Sequence, residues 1–402
     1  MKYMGSKRAM LGNGLGELLR REAPNFARFV DLFSGSGAVA WFIGKESRCP
    51  VLAVDIQEYG AALARAVIGR THATKPQRLV KSFLQTARMQ CQRNAYWKQA
   101  TELDGLGLTP TKWASRARAI CGSADHGMIF RAYGGHYFSP SQAIAIDTLI
   151  DSLPTIQIDR DVCLAALLIA ASDCAASPGH TAQPFQPTKT AGKYINEAWR
   201  KDIFAYVEKA LLNVCPLHAQ VQGSARVGDA VTVAASLTKD DLVFIDPPYA
   251  GVHYSRFYHV LETIARGHCS EVSGVGRYPP PEERPVSAFS RKGQSLEAFD
   301  RLMRTLAERG CSAVVTFPAG KCSNGLSGDL VTAQAARYFR IDKKKVGSRF
   351  STMGGNNSHR QARMQVDELI LLLRPQKQLH AAFSPVATPI ARTPGMAAIT
   401  AP

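Results

Sequence analysis

With 402 residues, 46% of them hydrophobic and 20% charged, the chain has a globular composition able to bury a sizeable core, which excludes disordered and fibrous classes. Its 49 Lys and Arg against 32 Asp and Glu leave a net charge of +17, which favours a polyanionic partner, most simply nucleic acid. The nine cysteines form no Cys-x-x-Cys, and His253 and His259 lack Cys or acidic partners at ligand spacing, so neither a disulfide framework nor a metal site is expected. The longest strongly apolar run, Val162 to Ala171, is about half a membrane span, and the expectation is a soluble, cytoplasmic protein without membrane association.

At the N-terminus, Tyr3, Gly5 and Lys7 precede a helical pattern in which Leu11, Leu15, Leu18 and Leu19 share a face. Gly5 permits close backbone approach to a ligand, and Lys7 is positioned to meet a carboxylate near the helix start. Phe29 to Phe33 reads as a strand, Ser34-Gly35-Ser36-Gly37 as a tight turn, and Ala38 to Ile43 as a helix start. That order suits a nucleotide-type cofactor, because missing side chains let backbone N–H groups approach it. The next strand, Val51 to Val54, ends in Asp55, about 20 residues after the turn, where an acid grips ribose hydroxyls.

From about residue 70 to 220 no parallel-type strand is legible, far more chain than a crossover needs, so an inserted, mainly helical domain is predicted. Arg78 to Ala100 reads as a basic helix, and Lys112, Arg116, Arg118 and Arg131 alternate with Trp113, Phe130, Tyr133, Tyr137 and Phe138. Cations interleaved with aromatics suit phosphate contact and base stacking. Ser177 to Lys193 reads as a long loop.

The sheet pattern resumes near Ala225 to Val233, where Gly228-Asp229-Ala230 ends a third strand, and continues at Leu242 to Ile245. That run stops at Asp246-Pro247-Pro248-Tyr249, because proline cannot donate to a ladder, and the stop delivers an acid and an aromatic to the sheet edge where α/β folds bind ligands. Phe257, Val260, Leu261 and Ile264 mark an apolar helix face, and residues 270 to 294 an exposed loop. Ala313 to Phe317 and Val366 to Leu373 are further strands. The stretch between them, with Lys343 to Lys345, Arg349, Gly354-Gly355, Asn356-Asn357, His359, Arg360 and Arg363, reads as a basic loop and a second candidate DNA-contacting surface.

In order, Tyr3-x-Gly5-x-Lys7, Asp31-Leu32-Phe33-x-Gly35-x-Gly37, Asp55, the insert and Asp246-Pro247-Pro248-Tyr249 resemble the alpha-group, Dam-like DNA adenine-N6 methyltransferases. The resemblance implies a Rossmann-like, seven-stranded methyltransferase sheet, with catalytic parts at 1–70 and 221–375, a target-recognition insert at 71–220 and a disordered tail at 376–402. It also implies S-adenosyl-L-methionine as cofactor, contacted by Tyr3, Lys7, Phe33, Gly35, Gly37, Asp55, Asp229 and Asp246, with double-stranded DNA as partner. Asp246 and the Pro247 carbonyl would then bind the amine of a flipped-out adenine, and Tyr249 would stack on it. The family setting leaves a cognate restriction endonuclease open as a partner, and the oligomeric state open too. Three alternatives compete with this reading. They are N4-cytosine methylation, whose motif more often begins with serine, an inactive DNA-binding protein on the same fold, and a nicotinamide dehydrogenase, which gives Pro247 to Tyr249 and the basic insert no role.

Overall fold

In the computed structural model, residues 7–350 and 364–376 are described. Tyr3, Gly5, residues 351–363 with Gly354-Gly355, Asn356-Asn357, His359, Arg360 and Arg363, and residues 377–402 lie outside them. Seven strands form one sheet: β1 (Arg28–Asp31), β2 (Val51–Asp55), β3 (Ser224–Val227), β4 (Asp241–Ile245), β5 (Ser312–Pro318), β6 (Phe339–Phe350) and β7 (Met364–Pro375). Their order is β3-β2-β1-β4-β5-β7-β6. The first five run parallel, whereas β7 pairs antiparallel with β5, and β6 antiparallel with β7.

Alternation within the apolar strands fills both faces of the sheet. Val30, Val243, Ile245, Leu371 and Leu373 point into one core with Phe299, Leu302 and Met303. Their neighbours Phe29, Leu242, Phe244, Ile370 and Leu372 point into the other with Leu19 and Ile43. From β1 the chain steps outward through β2 to β3, then returns to the other side of β1 with β4 and β5. The topological switch therefore falls between β1 and β4, and the crevice beyond their carboxyl ends is where such a sheet binds ligands.

Residues 76–214 contain helices and connecting loops only, including Pro140–Asp151, Gln157–Cys174 and Ile203–Val214. Their core is continuous with Tyr59, Leu63 and Val67 of the helix Glu58–Ile68 and with Tyr258 and Ile264 of the helix Tyr254–Arg266. Two readings from sequence need correction. Phe130, Tyr133, Tyr137 and Phe138 are fully buried rings of that core, and Trp113 is buried as well, so none is free to stack on a base. Burial of each ring contributes about 1.5 to 3 kcal/mol, a yield that spacing at helical intervals serves directly. Several cations are engaged too: Arg78 pairs with both carboxylate oxygens of Asp159, and Arg118 donates to the Gly135 carbonyl.

The second correction concerns Lys343 to Lys345, which lie on the twelve-residue edge strand β6 and not in a loop. Lysines on an outer strand deter edge-to-edge pairing, so their charge disguises a strand that Phe339 and Val346 anchor in the core.

Candidate active site

The turn after β1 is shaped by two glycines with positive φ, 50° at Gly35 and 73° at Gly37. A Cβ on Gly37 would stand 2.9 Å from Trp41 Nε1 and 3.3 Å from the Ala64 backbone, so only glycine fits between these helices. The Gly35 N–H donates to Asp55 Oδ2 at 2.7 Å, and the Gln57 N–H to Asp55 Oδ1 at 2.9 Å. Gly60 makes room for that carboxyl, because a Cβ there would lie 2.7 Å from Asp55 Cγ. Burial raises the Asp55 carboxyl to about 6 against the lowering effect of these backbone donors. A carboxylate has about four lone-pair sites, and these backbone donors do not fill them all, which leaves room for a hydroxyl donor.

At the end of β4, Asp246 faces three side chains from distant parts of the chain. Lys7 Nζ lies 3.0 Å from Asp246 Oδ1 and 2.9 Å from Glu368 Oε2, and the Thr316 hydroxyl donates to Asp246 Oδ1 at 3.0 Å. Lys7 is 4% exposed and Glu368 5%, so a buried cation stands between two carboxylates. Burial pulls the Lys7 ammonium down, but the two carboxylates outweigh it and its pKa stands above the ordinary lysine value. For Asp246, burial dominates and lifts the carboxyl to about 6, with Lys7 opposing and Glu368 adding to the rise. Both partners of Asp246 use Oδ1, which leaves Oδ2 without a partner among the described residues.

The proline turn is pinned by Asn324, which is fully buried. Its amide donates to the Pro248 carbonyl at 2.8 Å and to the Phe289 carbonyl at 3.0 Å. The Tyr249 ring, 8% exposed, packs with its centroid 5.8 Å from Lys7 Nζ. Glu368, Thr316 and Asn324 were not identified from sequence. The position of Glu368 directly before the apolar run Leu369 to Leu373 was the one available signal, and Asn324 gave none.

A cavity with about 950 Å³ of empty space, part of it open to solvent, joins these parts. Lys7, Phe33, Gly35, Asp55, Asp229, Asp246, Pro247 and Tyr249 all line it, whereas Gly37 shapes the turn from behind. Phe33 packs edge-on against Phe289 at 5.1 Å. Asp229 is exposed and caps the helix Ala230–Ala234, its Oδ1 accepting from the Val231 and Thr232 N–H groups. Asp31, fully buried at the cavity wall, has a carboxyl pushed well above the usual range by burial, partly offset by the Phe33 N–H. Ser34 Oγ, Gln57 Nε2 and Ser290 Oγ line the same cavity, buried and without a hydrogen-bond partner among the described residues. Unmet buried polar atoms are costly, so their grouping fits a cavity built for a polar ligand. The glycine cradle, the spare acceptor sites of Asp55 and these atoms match a ligand carrying hydroxyl and amino-acid groups, as S-adenosyl-L-methionine does.

The chain is similar to the modification methylase LlaI of Lactococcus lactis subsp. lactis, 23% identical over 327 residues that cover 76% of this chain and 44% of the relative. It thus spans less than half the length of that protein. Residues 3–122 and 163–282 match the family pattern described as D12 class N6 adenine-specific DNA methyltransferase. The first match runs from the N-terminal motif through the glycine turn and Asp55, and the second contains Asp229 and Asp246 to Tyr249. On this match over more than half its length, the chain belongs to the D12 class N6 adenine-specific DNA methyltransferase family.

Proposed function

We propose that the chain transfers a methyl group from S-adenosyl-L-methionine to the N6 amine of an adenine flipped out of duplex DNA, with residues 71–220 serving target recognition. The observation that carries this reading is the Asp246 carboxylate at the cavity wall, anchored through Oδ1 by Lys7 and Thr316, with Oδ2 without a partner among the described residues. Phe33, Gly35, Gly37, Asp55 and Asp229 would hold the cofactor, together with Tyr3, which lies outside the described residues. When bound, the cofactor supplies an electrophilic methyl group on a sulfonium. Lys7, engaged by Asp246 and Glu368, acts in this reading mainly by fixing the Asp246 carboxylate.

An exocyclic N6 amine is a poor nucleophile because its lone pair is delocalised into the purine ring. Asp246 Oδ2 and the Pro247 carbonyl would accept the two amine hydrogens, which favours a tetrahedral nitrogen and localises the lone pair. The amine proton released on methylation passes to Asp246 or to solvent, and no covalent enzyme intermediate is needed. N6 is out of reach inside a duplex, so the base must leave the stack, and the Tyr249 ring offers a face worth about 1 to 3 kcal/mol of stacking.

Duplex DNA incubated with the protein and methyl-labelled S-adenosyl-L-methionine is expected to yield N6-methyladenine after digestion to nucleosides. Label in N4-methylcytosine would instead reassign the base, and absence of label on DNA of varied sequence would leave a binding protein. The raised Asp246 carboxyl adds a pH signature. Protonated Asp246 loses an acceptor, so turnover is expected to be full above about pH 7 and to decline as pH falls through about 6. A rate that stays flat from pH 8 to pH 5 would exclude ionised Asp246 from the transfer step.

A further inference from the structure

Two stretches of chain contribute to the cavity lining, Pro248, Tyr249, Tyr254 and Ser255 in one and Pro285, Ser287, Phe289 and Ser290 in the other. His253 immediately precedes the first helix residue of one stretch, whereas Arg284 and Arg291 stand at the two ends of the other. Neither arginine has a carboxylate partner among the described residues, unlike Arg65, which pairs with Glu58 and Asp161. Arg284 Nε and His253 Nδ1 are buried and without a hydrogen-bond partner among those residues. The Arg284 guanidinium lies 5.6 Å from the Tyr278 ring centroid, and Arg256 holds the same ring from 5.0 Å while its Nε donates to the Tyr278 hydroxyl. Adjacent Glu283 is engaged elsewhere, accepting from the Ser270 hydroxyl and facing His268. Burial is the main cause that lowers the His253 imidazole below its usual range, with Arg291 and then Arg284 adding to it.

Arg291 is exposed and solvated in the free protein, whereas the buried, unmet Nε donor of Arg284 is costly unless an anion completes its guanidinium. A flipped nucleotide puts its base in the cavity and so must leave its own backbone phosphates at the mouth. We propose that His253, Arg284 and Arg291 form the site for a backbone phosphate of the strand that carries the target base, an inference that rests on the function proposed above. Guanidinium forks suit phosphate oxygens, and contact of this kind fixes the strand without reading sequence.

The test compares Arg284→Gln/Arg291→Gln, next in sequence to the lining residues Pro285 and Ser290, with the charge-matched pair Arg304→Gln/Arg309→Gln, exposed and next to no lining residue. With duplex DNA as probe and melting temperatures checked to be near wild type, the first pair is expected to raise the KM for DNA about tenfold. It should also reduce the slope of log affinity against log salt by about 1, the loss of one phosphate contact, while the set of methylated sequences stays the same. The control pair should leave that slope as in wild type. An active wild type whose Arg284/Arg291 variant keeps its KM and slope overturns the site alone, as does an equal loss in the control pair. A wild type that transfers no methyl group to duplex DNA overturns the site together with the proposed function.

Discussion

Asp246→Ala is expected to lower methyl transfer on the order of 10²- to 10³-fold or more while DNA affinity changes less than about threefold, by analogy with the loss of one preorganised hydrogen-bonding group at a reacting centre. The substitution removes the acceptor for the N6 amine, and nothing adjacent replaces it, because Glu368 is 5% exposed and already tied to Lys7. The variant should fold. Once Asp246 is gone, Lys7 and Glu368 remain as a one-to-one buried pair at 2.9 Å, a more balanced arrangement than one cation between two anions. Thr316 loses its acceptor, a cost on the order of 1 kcal/mol. The measurement is single-turnover transfer to labelled duplex DNA beside a binding titration of the same duplex. Turnover within tenfold of wild type would remove Asp246 from the chemistry, and parallel loss of binding and transfer would make it a structural residue.

Legibility from sequence followed burial. The strands around Phe29, Val51, Leu242, Ala313 and Leu369 were readable within a residue or two, because each is a short apolar run bounded by turn residues and buried on both faces. The glycine turn, Asp55 and Asp246 to Tyr249 were readable for a different reason. Each lies at the end of a strand, and in an open sheet the strand ends beside the topological switch flank one crevice. What failed to show depended on partners far away in the chain. Glu368 matters only because β7 runs antiparallel beside β5 and brings it to Lys7, a contact across 361 positions that no local pattern encodes. Asn324 is one polar residue in an irregular segment, and its role exists only against the Pro248 and Phe289 carbonyls. The aromatics from Trp113 to Phe138 were misassigned because alternation of rings and cations looks alike whether rings face DNA or a core. The size of the helical region was decisive, since so many helices need buried rings to pack on, here in a core shared with Tyr59 and Tyr258.

Lys7→Met carries the largest expected effect on stability, about 3 to 5 kcal/mol near pH 8, the cost of removing one partner from a buried ionic group. Methionine matches the lysine stem in length, so packing changes little and the loss reports charge. Without the ammonium, Asp246 faces Glu368 with no cation between them, and the Asp246 carboxyl, already lifted to about 6, rises further above its unfolded value. Between that unfolded value and the raised folded one, the folded variant holds a proton that the unfolded chain has released. Its stability therefore falls as pH rises through the folded value and recovers as pH falls below it. The deficit against wild type should thus be greatest at pH 8 and shrink markedly by pH 5. Lys7→Met/Glu368→Gln, which leaves a single carboxyl, should recover a large part of it at pH 8. Denaturant melts of the three proteins at pH 5 and pH 8 check both statements. A Lys7→Met deficit that is the same at both pH values, or that the second substitution leaves untouched, would mean that Lys7 stabilises by packing, and its service to Asp246 would then have to be abandoned.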